Sequence, residues 1–170
     1  MRRVRAMQIS KMGPREWIAL GFFIALAEFA GVVGSAFTVP AVQGWYTTLV
    51  LPVLSPPFQI FGPVWTALFA LMGVAGFLVW WRQSHASRRL ALLVFGLQLA
   101  LNALWATLFF GLQDPKLALI EIAALLLAIA WTMVRFYHIS KTAAYLLVPY
   151  ILWVAFATYL NYTIWMLNAG

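Results

Sequence analysis

Gln98 and Asn102 stand four residues apart in an otherwise apolar run, and Trp105 follows three later. If the run is helical, both amides and the indole share one face, because positions three and four apart stack along a helix. Amides in apolar surroundings need partners. These are either groups on neighbouring helices, at about 1 kcal/mol each, or the polar edge of a bound molecule. Asn161, beside Tyr162, is a third amide of this kind. Glu28 and Glu121 also fall inside apolar runs. An ionised carboxylate there costs ~3 kcal/mol or more, so each is expected to face the interior and is a functional candidate. For Glu121 the alternative is that it reaches the end of its run, two helical turns from Asp114. Hydrolysis and phosphoryl transfer find no footing in this set. It contains no nucleophile–base pair, no Gly-rich phosphate loop and no paired carboxylates. The chain has no cysteine, which removes disulfides, thiolate catalysis and Cys-ligated metals. His85 and His138 lie beside Arg or Lys and read as solvated loop residues rather than haem ligands, so no metal site is expected and no cofactor is required.

The chain has 9 tryptophans, and they separate by position. Trp17, Trp80, Trp81 and Trp165 stand at the ends of apolar runs, where an indole can keep its N–H wet. Trp65, Trp105 and Trp153 lie deep in three different runs, and Trp45 adjoins Tyr46 in an uncharged loop. The deep set is either ordinary packing or an aromatic cage on which a large, flat, apolar ligand stacks. Gly96, Ala100 and Ala103 form a small-residue stripe on a face other than that of Gln98 and Asn102. It suits close approach of a helix from a second copy, giving a homodimer, or from the same bundle.

What positions these residues is a membrane. Of 170 residues, 65% are hydrophobic and only 9% charged, with mean hydropathy +0.91, too apolar for a water-soluble globule. Runs of roughly 20 residues cross a hydrocarbon core of about 30 Å as helices. Helices also satisfy every backbone group internally, and the runs lack the period-2 alternation of a barrel. The expected fold is all-α, a single bundle of five transmembrane helices spanning residues 16–37, 58–81, 88–111, 115–137 and 142–166, preceded by a basic tail at 1–15. Asp114 and Pro115 mark the start of the fourth span as cap and first helical residue. Pro149 is expected to kink the fifth. No charged residue occurs between Glu28 and Arg82, and Pro52, Pro56, Pro57 and Pro63 stiffen the connection between the first two spans. That loop is expected to act as a lid or cavity wall.

Charge sets an orientation. Arg2, Arg3, Arg5, Lys11 and Arg15 precede the first span, Arg82, Arg88 and Arg89 flank the second loop, and Arg135 and Lys141 flank the fourth. Lys116 alone falls on the other side. The positive-inside rule then puts the N-terminus inside and the C-terminus and proline loop outside. The net charge of +7 is thus an orientation signal, with a contribution from anionic lipid, and calls for no nucleic-acid partner. The basic N-terminus reads as a retained signal anchor, since no A-x-A-like cleavage site ends the first apolar run.

In this order, Trp45-Tyr46, the prolines from Pro52 to Pro57, Gly62-Pro63-Val64-Trp65, Met72-Gly73 and Val79-Trp80 resemble the translocator protein family. These are the tryptophan-rich sensory proteins once called peripheral benzodiazepine receptors. The resemblance continues through Gln98 to Asn102, Trp105, Phe109-Phe110-Gly111, Pro149-Tyr150, Trp153, Phe156 and Leu160-Asn161-Tyr162 to Trp165, so it covers about residues 34–165. It implies five helices and a membrane receptor or sensor for porphyrins, including haem, and for isoquinoline and benzodiazepine ligands, with cholesterol in animals. Carried over by motif, the ligand-binding residues are Tyr46 and Pro56 of the loop, Phe61, Trp65 and Phe69, then Asn102 and Trp105, then Trp153 and Ala157; Gln98 joins them as the second amide on its face.

The resemblance also implies that Trp65 and Trp153 would serve any light-dependent breakdown of porphyrin, and a transporter of porphyrin or other apolar molecules is the further alternative. Two departures stand out. No Lys or Arg follows Tyr162 to complete the sterol motif, although the same loose pattern fits Val134, Tyr137 and Lys141. Leu117 stands where animal members carry another tryptophan, and a bacterial member is the expected identity.

Overall fold

The computed structural model describes residues 12–82 and 87–169, and within them every regular element is a helix. The N-terminal residues Arg2, Arg3, Arg5 and Lys11, and His85 in the second loop, lie outside the described residues. Helix α1 (Pro14–Gln43) is followed by single turns at Trp45–Thr48 and Phe58–Ile60. Next come α2 (Phe61–Trp81), α3 (Arg88–Ala106), α4 (Pro115–Tyr137), α5 (Lys141–Leu146) and α6 (Val148–Leu167), with α5 and α6 forming the fifth span. Among the described residues five helical segments are long and apolar enough to cross a membrane.

Local chemistry explains most of the boundaries. Gly13 N–H donates to Glu16 Oε2 at 2.9 Å, so Glu16 caps α1 from within its first turn. The Asp114 carboxylate accepts from Leu117 N–H at 2.9 Å, with Pro115 opening the helix where no N–H is needed. Pro149 breaks the fifth span at Leu147 and becomes the second residue of α6. The first span differs from expectation: instead of ending at Phe37 it runs through Pro40 to Gln43, because one proline near a helix end removes a single backbone bond without stopping the turn. Gly44 ends it.

Around the bundle the order is α1, α2, α5–α6, α4, α3 and back to α1. Its centre holds Met72, Phe95, Ile129, Phe136 and Tyr150, all essentially inaccessible. The outer face carries Phe22, Phe29, Leu93, Leu127 and Leu152, which in lipid cost nothing. Helix association therefore rests on close packing and interhelical hydrogen bonds rather than on apolar burial. Gly73 shows the packing at its closest: a Cβ there would lie 2.5 Å from the Ile24 Cα, so α1 and α2 meet backbone to backbone. Gly96 is the opposite case. A Cβ there meets nothing within 4 Å, and Gly96 and Ala100 face out of the bundle while Ala103 is half-buried. The stripe is not used for packing within the chain at Gly96 and Ala100.

Past Ala106, α3 widens into a π-helical turn at Thr107–Gly111, with Leu112 N–H donating to the Thr107 carbonyl at 2.8 Å. Gln113 follows at φ 56, a left-handed residue that reverses the chain into α4. The extra residue in the turn sets Phe109 and Phe110 against the first loop, where Trp45 meets Phe109 at 5.8 Å and Tyr46 meets Phe110 at 5.9 Å between ring centroids.

Candidate functional site

A cavity of about 330 Å³ opens in the half of the bundle that holds the first loop. Three helices and the loop build it. Helix α2 contributes Phe61, Trp65 and Phe69 at helical spacing, with Trp65 and Phe69 stacked at 5.5 Å. Helix α3 contributes Asn102 and Trp105, the π-turn adds Phe110, and Tyr46 closes the cavity from the loop. Burial pushes the Tyr46 phenol above its usual pKa.

Six of the residues expected from sequence thus share one cavity: Tyr46, Phe61, Trp65, Phe69, Asn102 and Trp105. Four do not line it. Gln98 is fully buried one turn below Asn102, with its amide N–H 3.7 Å from the Met72 sulfur and its carbonyl oxygen without a partner among the described residues. Trp153 stands behind the wall, edge-on to Trp65 at 6.5 Å and to Phe61 at 5.8 Å. Its indole N–H is buried without a described partner. Ala157 sits one turn further along α6, packed in the core, and Pro56 is half-buried in the loop away from the cavity. For Trp153 and Ala157 the reason is depth: the fifth span packs against α2 and α4, so these two residues lie behind the wall instead of forming it.

Helix α1 forms a wall of which the sequence reading had singled out only Glu28. Glu28, Gly31, Ser35 and Thr38 recur at helical spacing along its inner face and line the cavity. Gly31 is there because the Phe69 ring occupies the space of its missing side chain; a Cβ would lie 2.5 Å from the ring. The periodic small and polar residues in an otherwise apolar helix were the available signal.

Polar groups beside the cavity tie the helices together. Asn102 Nδ2 donates to the Tyr150 hydroxyl at 3.1 Å, joining α3 to α6. Trp105 Nε1 donates to Asn161 Oδ1 at 3.0 Å, and Asn161 Nδ2 donates to the Pro115 carbonyl at 2.7 Å, joining α3, α6 and α4. Asn161 therefore serves the fold. Glu121 is buried at 8% exposure, with neither oxygen partnered among the described residues, so it does not reach the outer boundary. The first loop is pinned by Asn168 beyond α6: Val50 N–H donates to its Oδ1 at 2.9 Å, and its Nδ2 donates back to the Val50 carbonyl at 3.1 Å. At the other end of the bundle, Val134, Tyr137 and His138 edge a shallower groove of about 260 Å³, with the Lys141 ammonium 5.3 Å from the Tyr137 ring centre. Among the described residues no His, Asp and Glu cluster suits a metal ion.

The TspO/MBR family profile matches residues 23–166. The chain is similar to the tryptophan-rich protein TspO of Chlorobaculum tepidum, 41% identical over 157 residues, which cover 91% of this chain and 98% of that protein. It is also similar to the human translocator protein, 39% identical over 158 residues, covering 91% of this chain and 92% of the relative. The protein CrtK of Rhodobacter capsulatus is 33% identical over 154 residues, covering 88% and 91% respectively.

Proposed function

The chain belongs to the TspO/MBR family of integral membrane proteins, and from that premise we propose that it is a membrane receptor or sensor. Its ligand is a porphyrin or another large, flat, apolar molecule, with isoquinoline and benzodiazepine compounds as synthetic occupants. The observation that carries this reading is the cavity itself: about 330 Å³, walled by Trp65, Phe69, Trp105 and Phe110, with Asn102 as a sparse polar group. An aromatic wall stacks on a planar ring system, and a few amides orient it. Ligand binding under Tyr46 would shift the loop that Asn168 holds, and loop position would report occupancy.

The test is titration of purified protein with protoporphyrin, read by tryptophan fluorescence. Trp65→Phe is expected to weaken binding, and Trp65→Phe with Trp153→Phe to weaken it further by loosening the ring behind the wall. Unchanged affinity in the double variant would reject this cavity as the site.

Two finer points belong to the same reading. The outward-facing Gly96 and Ala100, with Ala103 beside them, support a homodimer through α3. Gly96→Leu is expected to yield monomers in detergent, and an unchanged dimer would remove this interface. The basic residues support an N-terminus inside and a C-terminus outside; the single variants Ala86→Cys and Ala169→Cys, labelled from one side of intact cells, check it, and labelling of Ala86→Cys from outside would reverse it.

A further inference from the structure

Among the described residues lining the cavity, Glu28 is the only charged one. It stands midway along the 30-residue α1, roughly 21 Å from either end at 1.5 Å per residue, too deep for a glutamate side chain to reach the headgroups. No hydrogen bond or ion pair holds it among the described residues. A carboxylate so placed is costly unless the cavity or its occupant supplies a counter-group.

The rest of the α1 wall points the same way. Ser35 Oγ donates its hydrogen to the Val32 carbonyl at 2.8 Å, and Thr38 Oγ1 donates to Gly34 at 3.0 Å. With those hydrogens committed, both hydroxyls turn only lone pairs to the cavity. Trp65 and Phe69 line the same cavity, and aromatic rings attract cations and N–H groups rather than anions. The α1 side of the cavity is thus rich in acceptors: two hydroxyl oxygens toward the loop and a carboxylate at the inner end.

We infer that this cavity selects apolar ligands that carry an ammonium or another N–H donor at their inner end, and that Glu28 is the residue that sets this choice. The inference rests on the reading of the cavity as the ligand site. A ligand's own carboxylates are turned away from Glu28 and toward the loop, where water and headgroups can solvate them.

Two synthetic porphyrins with the same ring test it, one bearing a single arm that ends in a primary ammonium and the other the same arm ending in a methyl ether. Protoporphyrin serves as the reference ligand, and binding is read by tryptophan fluorescence. Wild-type protein is expected to prefer the ammonium probe by about tenfold or more, the worth of one charge-assisted hydrogen bond. Glu28→Gln should erase that preference while protoporphyrin still binds, and Glu28→Asp should restore part of it. An equal preference in wild type and Glu28→Gln, with protoporphyrin bound by both, overturns the role of Glu28 and leaves the receptor reading intact. A Glu28→Gln protein that binds none of the three also overturns it, since the carboxylate would then support the fold instead of the choice of ligand. Wild-type protein that binds no porphyrin at all overturns both readings.

Discussion

Replacing Gly31 with alanine puts a methyl group where the Phe69 ring already lies. An ideal Cβ would sit 2.5 Å from Cε2 and 2.7 Å from Cδ2 of that ring. Carbon atoms rest about 3.5–4.0 Å apart, so the ring must withdraw by roughly 1 Å. It has little freedom to do so: Phe69 is 3% exposed and stacks on Trp65 at 5.5 Å. The open direction is the cavity that both rings line. Overpacking of this kind costs about 1–3 kcal/mol of stability, and a disturbed aromatic pair adds about 0.5–1.5 kcal/mol. The same displacement narrows the slot between α1 and α2, and a rigid planar ligand loses contact on both faces. A loss of about 1.4–2.8 kcal/mol corresponds to a 10- to 100-fold weaker Kd. Protoporphyrin titration by fluorescence measures the affinity, and thermal unfolding in detergent measures the stability. Gly31→Ala combined with Phe69→Leu should recover much of the stability, because the smaller side chain vacates the contested space, while affinity stays low because Phe69 is itself a ring of the wall. Gly96→Ala is the contrasting change, since nothing lies within 4 Å of that position. A Gly31→Ala protein with wild-type affinity and unchanged melting would refute the placement of this wall against Phe69.

Asn168→Ala removes both hydrogen bonds to Val50. It is expected to speed ligand association and dissociation in stopped-flow quenching and to raise hydrogen exchange at Val50; unaltered rates would show that this pin does not govern the lid. Asn161→Leu strips the partner from Trp105 and from the Pro115 carbonyl together. At roughly 1 kcal/mol for each bond in a membrane, a loss of about 2 kcal/mol is expected on thermal unfolding. A variant as stable as wild type would mean that these bonds exchange for others at no cost.

The spans were legible because apolar length is a physical requirement of the bilayer and shows directly in the residues between charges. The shared face of Gln98, Asn102 and Trp105 was legible from helical spacing alone. Their separate fates were not. One turn of depth gives Gln98 to Met72 in the core and Asn102 to Tyr150 and the cavity, and that difference depends on which helix crosses at which height. The π-turn at Thr107–Gly111 leaves no mark in composition, yet it sets where Phe109 and Phe110 meet the loop. Trp153 carried the chemistry expected of a cavity residue but lies behind Trp65, since an aromatic motif does not state which rings form a wall and which support it. For α1 the signal was present and faint: four cavity residues at helical spacing in a helix whose other faces are apolar.

The two sides of the cavity are held by different forces, and this decides which side moves. Helices α3, α4 and α6 are joined by the bonds from Asn102 to Tyr150, from Trp105 to Asn161 and from Asn161 to Pro115. In lipid such bonds have no water to compete with them. Among the described residues helix α1 has none of this kind. Its side-chain hydrogen bonds, at Glu16, Ser35 and Thr38, go to its own backbone or to its cap Gly13, and its neighbours are met through Gly31, Gly34 and Gly73. Close packing holds it only while the fit is good, and around the cavity the fit is interrupted. The outer half of α1, from Glu28 to Gln43, is therefore expected to exchange backbone hydrogens faster than α3 and α4 at the same depth, and to slow when protoporphyrin fills the gap beside Phe69. Hydrogen exchange by mass spectrometry in nanodiscs, with and without porphyrin, measures this. Equal protection of α1 and α3 in the free protein, or no slowing of α1 on binding, would place the moving side elsewhere.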